Sequence, residues 1–153
     1  MTRIRLTLAA TAAIALMALP AQAQVAGPSL ADAKKAIAAA HAAATTMKTN
    51  LGCAVLDSRG GVVAAERMDK AAFFTVDVAR GKALVSASFG APSGALLQFA
   101  TSGIGSGLPG PASPVFLQGA VPIKGGGAIG CSGGSGQQDE DAAKAGAALI
   151  GVN

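Results

Sequence analysis

The residues whose types and spacing best suit ligand binding follow one another near the C-terminal end of the sequence. Ser132, Gly133 and Gly134 come directly after an apolar, strand-like run, and a helical pattern begins soon after them. A glycine-rich junction between a strand and a helix leaves backbone N–H groups uncovered and can hold an anion. The junction lacks a P-loop lysine, and the acidic run 139–141 would repel phosphate. It is therefore predicted either to contact a neutral or singly charged group or to serve only as a turn.

Two basic side chains are further candidates for binding. Arg67 ends a strand-like run, and its planar guanidinium matches the two oxygens of a carboxylate. The alternative for Arg67 is an internal ion pair with Asp69 or Asp77. Lys82 lies on a predicted helix, where it could neutralise an anionic ligand or be an ordinary solvated or snorkelling lysine.

A catalytic set is hard to assemble from this sequence. A serine or cysteine nucleophile needs a base, and only His41 could serve, yet no signal places it near Ser132 or Cys131. A structural zinc site needs several Cys or His ligands, and the whole sequence has one histidine and two cysteines. The acidic run 139–141 is explained by helix capping, since Ser135 and Gln138 have capping-box spacing. The sequence therefore favours binding over catalysis.

The elements that must position these residues follow a simple order. Hydrophobic periodicity, caps and turn residues predict α–β–β–α–α–β–β–α. The predicted ranges are helix Leu30 to Lys48, strands Gly52–Asp57 and Val62–Arg67, helix Thr75–Ser88, a short helix to Phe99, a loop Gly103–Pro114, strands Val115–Ala120 and Gly127–Ser132, and helix Gln137–Ile150. Because hairpins join the strands, the fold class is α/β of the α+β kind, with a mainly antiparallel sheet flanked by helices.

The N-terminal residues 1–23 have the pattern of a secretory signal. Arg3 and Arg5 precede the apolar run Leu6–Leu19, and Ala21-Gln22-Ala23 is an A-x-A cleavage site. The predicted product, residues 24–153, is one domain located in the periplasm or secreted. Without Arg3 and Arg5 the 12 basic residues fall to 10 against 8 acidic ones, so the net charge falls from +4 to +2. Scattered basic residues and the lack of Trp and Tyr argue against a nucleic-acid partner.

Cys53 and Cys131 both lie in apolar strand-like runs. In an oxidising compartment they form a disulfide if their strands are neighbours. The alternative is two buried free thiols that behave as small apolar side chains.

Three segments together resemble the GlcG/HbpS-like family, which includes the C-terminal domain of PduO-type proteins. They are AVLDSRGGVVAAERMDKA from Ala54, VDVARGKALVSASFGAPS from Val76 and GAVPIKGGGAIGCSGGSGQQDEDAAKAG from Gly119. The resemblance implies a profilin-like sandwich whose antiparallel sheet has about five strands. It also implies self-association into a homo-oligomer, haem binding in several members, and a sensor kinase as a partner for one extracellular type.

With haem as the implied cofactor, His41 becomes the candidate iron ligand, because neutral imidazole is the usual nitrogen ligand of haem iron. The alternative is a solvent-side or interfacial histidine that binds nothing. Arg67 or Lys82 would then meet the haem propionates, and the junction Ser132 to Gly134 would complete the binding site.

The function expected from these patterns is an exported, non-catalytic protein that binds haem or a related tetrapyrrole, in haem or iron handling or in sensing. Two alternatives belong to other classes. One is an accessory protein that acts through subunit contacts, with a sensor kinase or membrane protein as partner. The other is an enzyme or accessory protein of 2-hydroxy-acid or corrinoid metabolism.

Overall fold

The computed structural model describes residues 26–100 and 113–150, and its elements follow the predicted order. They are α1 (Leu30–Thr46), β1 (Gly52–Leu56), β2 (Val62–Arg67), α2 (Thr75–Phe89), a 3₁₀ helix (Ser93–Phe99), β3 (Ala120–Pro122), β4 (Ala128–Ser132) and α3 (Gly136–Ile150). The predicted signal segment and nearly all of the predicted loop Gly103–Pro114 lie outside the described residues. Within the described ranges, no helix is long and apolar enough to cross a membrane.

Local signals set the ends of the helices. Ser29 caps α1, where its Oγ accepts the Asp32 N–H at 3.1 Å. The predicted capping box of α3 is confirmed: Ser135 N donates to Gln138 Oε1 at 2.9 Å, and Gln138 N donates to Ser135 Oγ at 3.3 Å. Gly90 ends α2 in the left-handed conformation, which glycine adopts without steric cost.

The sheet is antiparallel throughout, in the order β2-β1-β4-β3. It has four strands in the described part of the chain, against about five expected, and its last hairpin, β3–β4, is short. The strand expected over Val115–Ala120 instead begins at Ala120. The preceding residues bind the helices, because Val115 N donates to Gly81 O at 3.1 Å and Ser93 Oγ donates to Leu117 O at 2.7 Å.

Helices cover both faces of the sheet, as predicted. One face packs on α1 and α3 and forms the main core, to which Val55, Ile129 and the two cysteines contribute. The other face packs on α2. Gly130 makes this contact close, since a Cβ there would collide with the Ala79 carbonyl oxygen and lie 2.9 Å from Ala83 N.

A disulfide joins the two central strands. Cys53 of β1 and Cys131 of β4 are register partners, with their Cα atoms 4.1 Å apart, and both are fully buried. The two alternatives left open by the sequence are thereby resolved in favour of the disulfide.

Candidate functional site

A cleft of about 880 Å³ opens between α2, the 3₁₀ helix, the end of β4 and the start of α3. Phe74 and Val78 of the α2 side and Leu97 and Leu117 opposite give it apolar walls. Its volume is in the range of small-molecule sites, which are concave and mostly apolar with a few polar groups.

A buried ion pair forms the polar floor of the cleft. Lys82 is only 3% exposed, and its Nζ donates to Asp139 Oδ2 at 2.7 Å and to the Cys131 carbonyl oxygen at 3.2 Å. The other carboxylate oxygen of Asp139 accepts the Gly134 N–H at 2.8 Å. Lys82 is therefore not a solvated or snorkelling lysine. Its four-carbon stem and its charge are both buried, and the charge is held by a partner on another helix.

The sequence folds this pair together through helix periodicity. Lys82 shares the buried face of α2 with Ala79 and Ala83, and Asp139 shares that of α3 with Ala142 and Ala143.

Gly119 lies where the two side chains meet. A Cβ there would be 2.6 Å from Lys82 Nζ and 2.8 Å from the Asp139 Cβ. Its φ of 137° also favours glycine.

The predicted junction contributes two of its three residues to the cleft. Ser132, 6% exposed, lines the cleft, and its hydroxyl has no hydrogen-bond partner in the described part of the chain. Gly134 also lines it and supplies its N–H to Asp139. Gly133 does not line the cleft; it turns the chain with φ 133° against the Asn50 carbonyl oxygen.

His41 lies elsewhere, on α1, and does not line the cleft. Its Nε2 is enclosed and has no hydrogen-bond partner among residues 26–100 and 113–150. Burial lowers the pKa of His41 below 6.5, and the nearby Glu66 carboxylate only partly opposes this effect. The imidazole is therefore neutral at neutral pH, the form that binds metals.

Arg67 is exposed at the end of β2 and also lies outside the cleft. The alternative of an internal ion pair with Asp69 or Asp77 is wrong, because Arg67 has no carboxylate oxygen within ion-pair distance in the described structure. Asp77 pairs instead with Arg80 of its own helix at 3.5 Å. The predicted site residues thus fall in two regions: Lys82, Ser132 and Gly134 at the cleft, and His41 and Arg67 on α1 and β2.

Asp139 and the apolar walls are not among the site residues predicted from the sequence. The sequence predicts a helix-capping role for Asp139 and its acidic neighbours. Asp139 nevertheless lies at i, i+3, i+4 spacing with Ala142 and Ala143, and a charged residue within an apolar stripe is the signal that marks it as buried. No comparable signal marks Phe74, Leu97 and Leu117, which come together only through the fold.

No group of three or more His, Cys, Asp or Glu side chains that could hold a metal ion occurs in the residues the structure describes.

Several solved structures are similar to this chain, and three of them are described below. A double mutant of HbpS from Streptomyces reticuli is 32% identical, with a TM-score of 0.75, and the match covers 95% of this chain and 100% of that one. A PduOC–haem complex is 25% identical, with a TM-score of 0.72, over 83% of this chain and 97% of that one. The Klebsiella pneumoniae protein ORFY, at 24% identity and a TM-score of 0.74, covers 89% of this chain and 99% of that one and shows the same fold.

A search of curated protein sequences gave no significant match. A family model described as "Haem degrading protein HbpS-like" matches residues 29–148. The matched residues include the helices on both faces of the sheet, the residues that line the cleft, His41 and Arg67. The resemblance read from the sequence is confirmed, and the chain belongs to the HbpS-like family.

Proposed function

We propose that this protein binds haem, with His41 as the iron ligand. Membership of the HbpS-like family and the likeness to a PduOC structure that holds haem support this function. The observation that carries the choice of ligand is the His41 Nε2 atom, which is buried and makes no hydrogen bond in the described structure. A neutral imidazole with a free nitrogen is the form that coordinates haem iron.

The residues around His41 fit this role better than those of the cleft. Among the described residues, the cleft lining contains no histidine, cysteine or methionine and so offers none of the usual iron ligands. Arg67 is exposed on β2, directly after Glu66, whose charge acts on His41. Arg67 has no ion pair in the described structure and is free to bind a propionate. Since Nε2 is covered in the single chain, iron binding requires the side chains over it to move aside.

An absorbance titration with hemin tests this proposal. Wild-type protein is expected to give a saturable Soret shift at about equimolar hemin, and His41→Ala is expected to lose the nitrogen-ligated spectrum. Ser58→Ala, at an exposed turn outside the cleft, is the control and should keep it. A wild-type protein that gives no Soret shift would reject haem binding. A His41→Ala variant with an unchanged spectrum would reject His41 as the ligand.

We further propose that the protein holds haem without transforming it. His41 lies outside the cleft that Ser132 lines, and the Lys82 and Asp139 side chains in that cleft are paired with each other. The description of the family as haem-degrading favours a second candidate, oxidative breakdown of the bound haem. One measurement distinguishes these two functions: the Soret band of the complex, followed in air with ascorbate, stays constant for a protein that only binds haem. It decays faster than that of free hemin for a degrading one.

Export and self-association complete the proposal. The buried disulfide supports an oxidising compartment, where such bonds form and persist. Association into a homo-oligomer is supported by the large apolar side chains that remain exposed on the single chain, among them Phe73 at 84%. A sensor kinase or a membrane protein is the expected class of partner if the role is sensing.

A further inference from the structure

The floor of the cleft presents hydrogen-bond donors that the protein does not use itself. The Ser132 hydroxyl lines the cleft from a side chain that is 6% exposed, and it has no partner in the described chain. The Lys82 ammonium carries three N–H groups, of which Asp139 and the Cys131 carbonyl accept two. The Gly136 N–H, at the first position of α3, also lacks an acceptor among the described residues. These donors call for a ligand group that only accepts hydrogen bonds.

The side-chain charges around the floor are balanced within two ion pairs. Asp139 is neutralised by Lys82 at 2.7 Å, and Glu140, which also lines the cleft, by Lys144 at 2.7 Å. The start of α3 adds the positive end of a helix dipole. The floor therefore has no net side-chain charge of its own, and the unused donors together with the helix dipole favour one carboxylate.

The walls of the cleft call for an apolar body on the same ligand. Phe74, Leu97 and Leu117 are each about half exposed, at 49%, 54% and 53%, and all three border the cleft. Large apolar side chains grouped around one concavity are typical of ligand sites rather than of scattered surface exposure.

We propose that the cleft binds an apolar monocarboxylate, with the carboxylate at Ser132, Lys82 and Gly136 and the apolar body between the walls. Two sources share this chemistry: a free apolar acid, and a propionate arm of a tetrapyrrole. With the free acid, the site is additional to the proposed haem function. With the tetrapyrrole, it rests on that function and extends it to a second contact.

Calorimetric titration with decanoate, below its micelle concentration, tests the proposal without haem. Decanoate is expected to bind saturably, and decanol, which has the same chain without the charge, at least about ten-fold more weakly. Ser132→Ala should weaken decanoate binding about ten-fold, since it removes a hydrogen bond to a charged group. Its control, Ser58→Ala at an exposed turn, should leave binding unchanged.

A second pair of variants tests the apolar wall. Leu117→Glu places a negative charge beside the proposed carboxylate path and should abolish decanoate binding, whereas Leu149→Glu, equally exposed on α3, should not. The proposal is overturned if decanoate does not bind, if decanol binds as well as decanoate, or if Ser132→Ala and Ser58→Ala are indistinguishable.

A competition experiment separates the two sources. If excess decanoate weakens hemin binding to the wild type and Leu117→Glu weakens it likewise, the carboxylate is a propionate of the tetrapyrrole. If hemin and decanoate bind independently, the ligand is a free acid. Decanoate binding without hemin binding leaves this proposal standing and rejects the haem function. Hemin binding without decanoate binding overturns this proposal and leaves the haem function standing.

Discussion

Lys82 and Asp139 show how a single residue pair shapes this protein. Both side chains are almost fully buried, and each has a second hydrogen bond, to the Cys131 carbonyl and from the Gly134 N–H. A buried pair of this kind adds little net stability, because desolvation of the two charges offsets their attraction. Losing one partner is costly, because the other charge then remains buried and uncompensated.

Lys82→Met is therefore expected to lower the free energy of unfolding by about 3–5 kcal/mol, measured by urea denaturation. The double variant Lys82→Met with Asp139→Asn should recover part of this loss, since asparagine removes the stranded charge and still accepts the Gly134 N–H. Lys144→Met is the control, because Lys144 is 53% exposed and its same-helix pair with Glu140 is open to solvent on the lysine side, so the loss should be smaller. Equal losses in Lys82→Met and Lys144→Met would contradict this account.

His41 gives the protein a pH dependence near neutrality. Because burial lowers its pKa in the folded state below 6.5, the unfolded chain takes up the proton first as the pH falls. The contribution of His41 to stability is thus fully present above pH 6.5 and is lost as the pH falls through 6.5 towards the folded pKa.

We expect the urea midpoint of the wild type to drop between about pH 8 and about pH 5, and that of His41→Gln to drop less. His41 is the only histidine, so no other histidine confuses the comparison. A wild type and a variant with parallel pH profiles would show that His41 is not the titrating group.

At the scale of elements, the close packing of α2 on the sheet depends on a position without a side chain. Gly130→Ala should lower the free energy of unfolding by several kcal/mol, since the new Cβ meets the Ala79 carbonyl oxygen and α2 must move. Ala65→Val, on the exposed edge strand β2, is the matched control and should change it by less than about 0.5 kcal/mol. If α2 can shift at no cost, the two variants will have the same stability.

The disulfide is a second stabilising feature at the scale of elements, because it links β1 to β4 through two cysteines that are 78 residues apart in the sequence. The double variant Cys53→Ala, Cys131→Ala should lose about 2–5 kcal/mol of unfolding free energy relative to the oxidised protein. Both cysteines are fully buried, so thiols should become titratable in dithiothreitol only after denaturant is added. Rapid reduction of the folded protein would contradict the buried position.

The elements could be predicted from local signals, and the site only in part. Caps such as Ser29 and Ser135 and the hairpin turn act over a few residues, so the order of helices and strands was correct. The bounds of β3 were wrong because tertiary bonds to α2 and the 3₁₀ helix hold the preceding residues. The pairing of Lys82 with Asp139 joins residues 57 apart, and its geometry depends on how two helices meet around the sheet, which no local pattern encodes.

At the scale of the whole molecule, the described structure is one sandwich, and the two ligand sites proposed for it lie in separate regions. Since the signal pattern ends at Ala23, the exported protein is expected to begin at Gln24. Intact-mass spectrometry of protein recovered from the periplasm or medium checks this directly. A full-length mass in that fraction would contradict cleavage after Ala23, and retention of the protein in the cytoplasm would contradict export.

The bond between Cys53 and Cys131 closes a covalent ring that contains β2, α2, the 3₁₀ helix and β3. A protease that cuts the backbone once inside this ring releases no fragment, because the two pieces stay linked through sulfur. Such a nicked molecule would migrate as one band on a non-reducing gel and separate into two only in the presence of a thiol. The protein is thereby built to survive a single backbone cleavage in the part of the chain that carries most of its cleft.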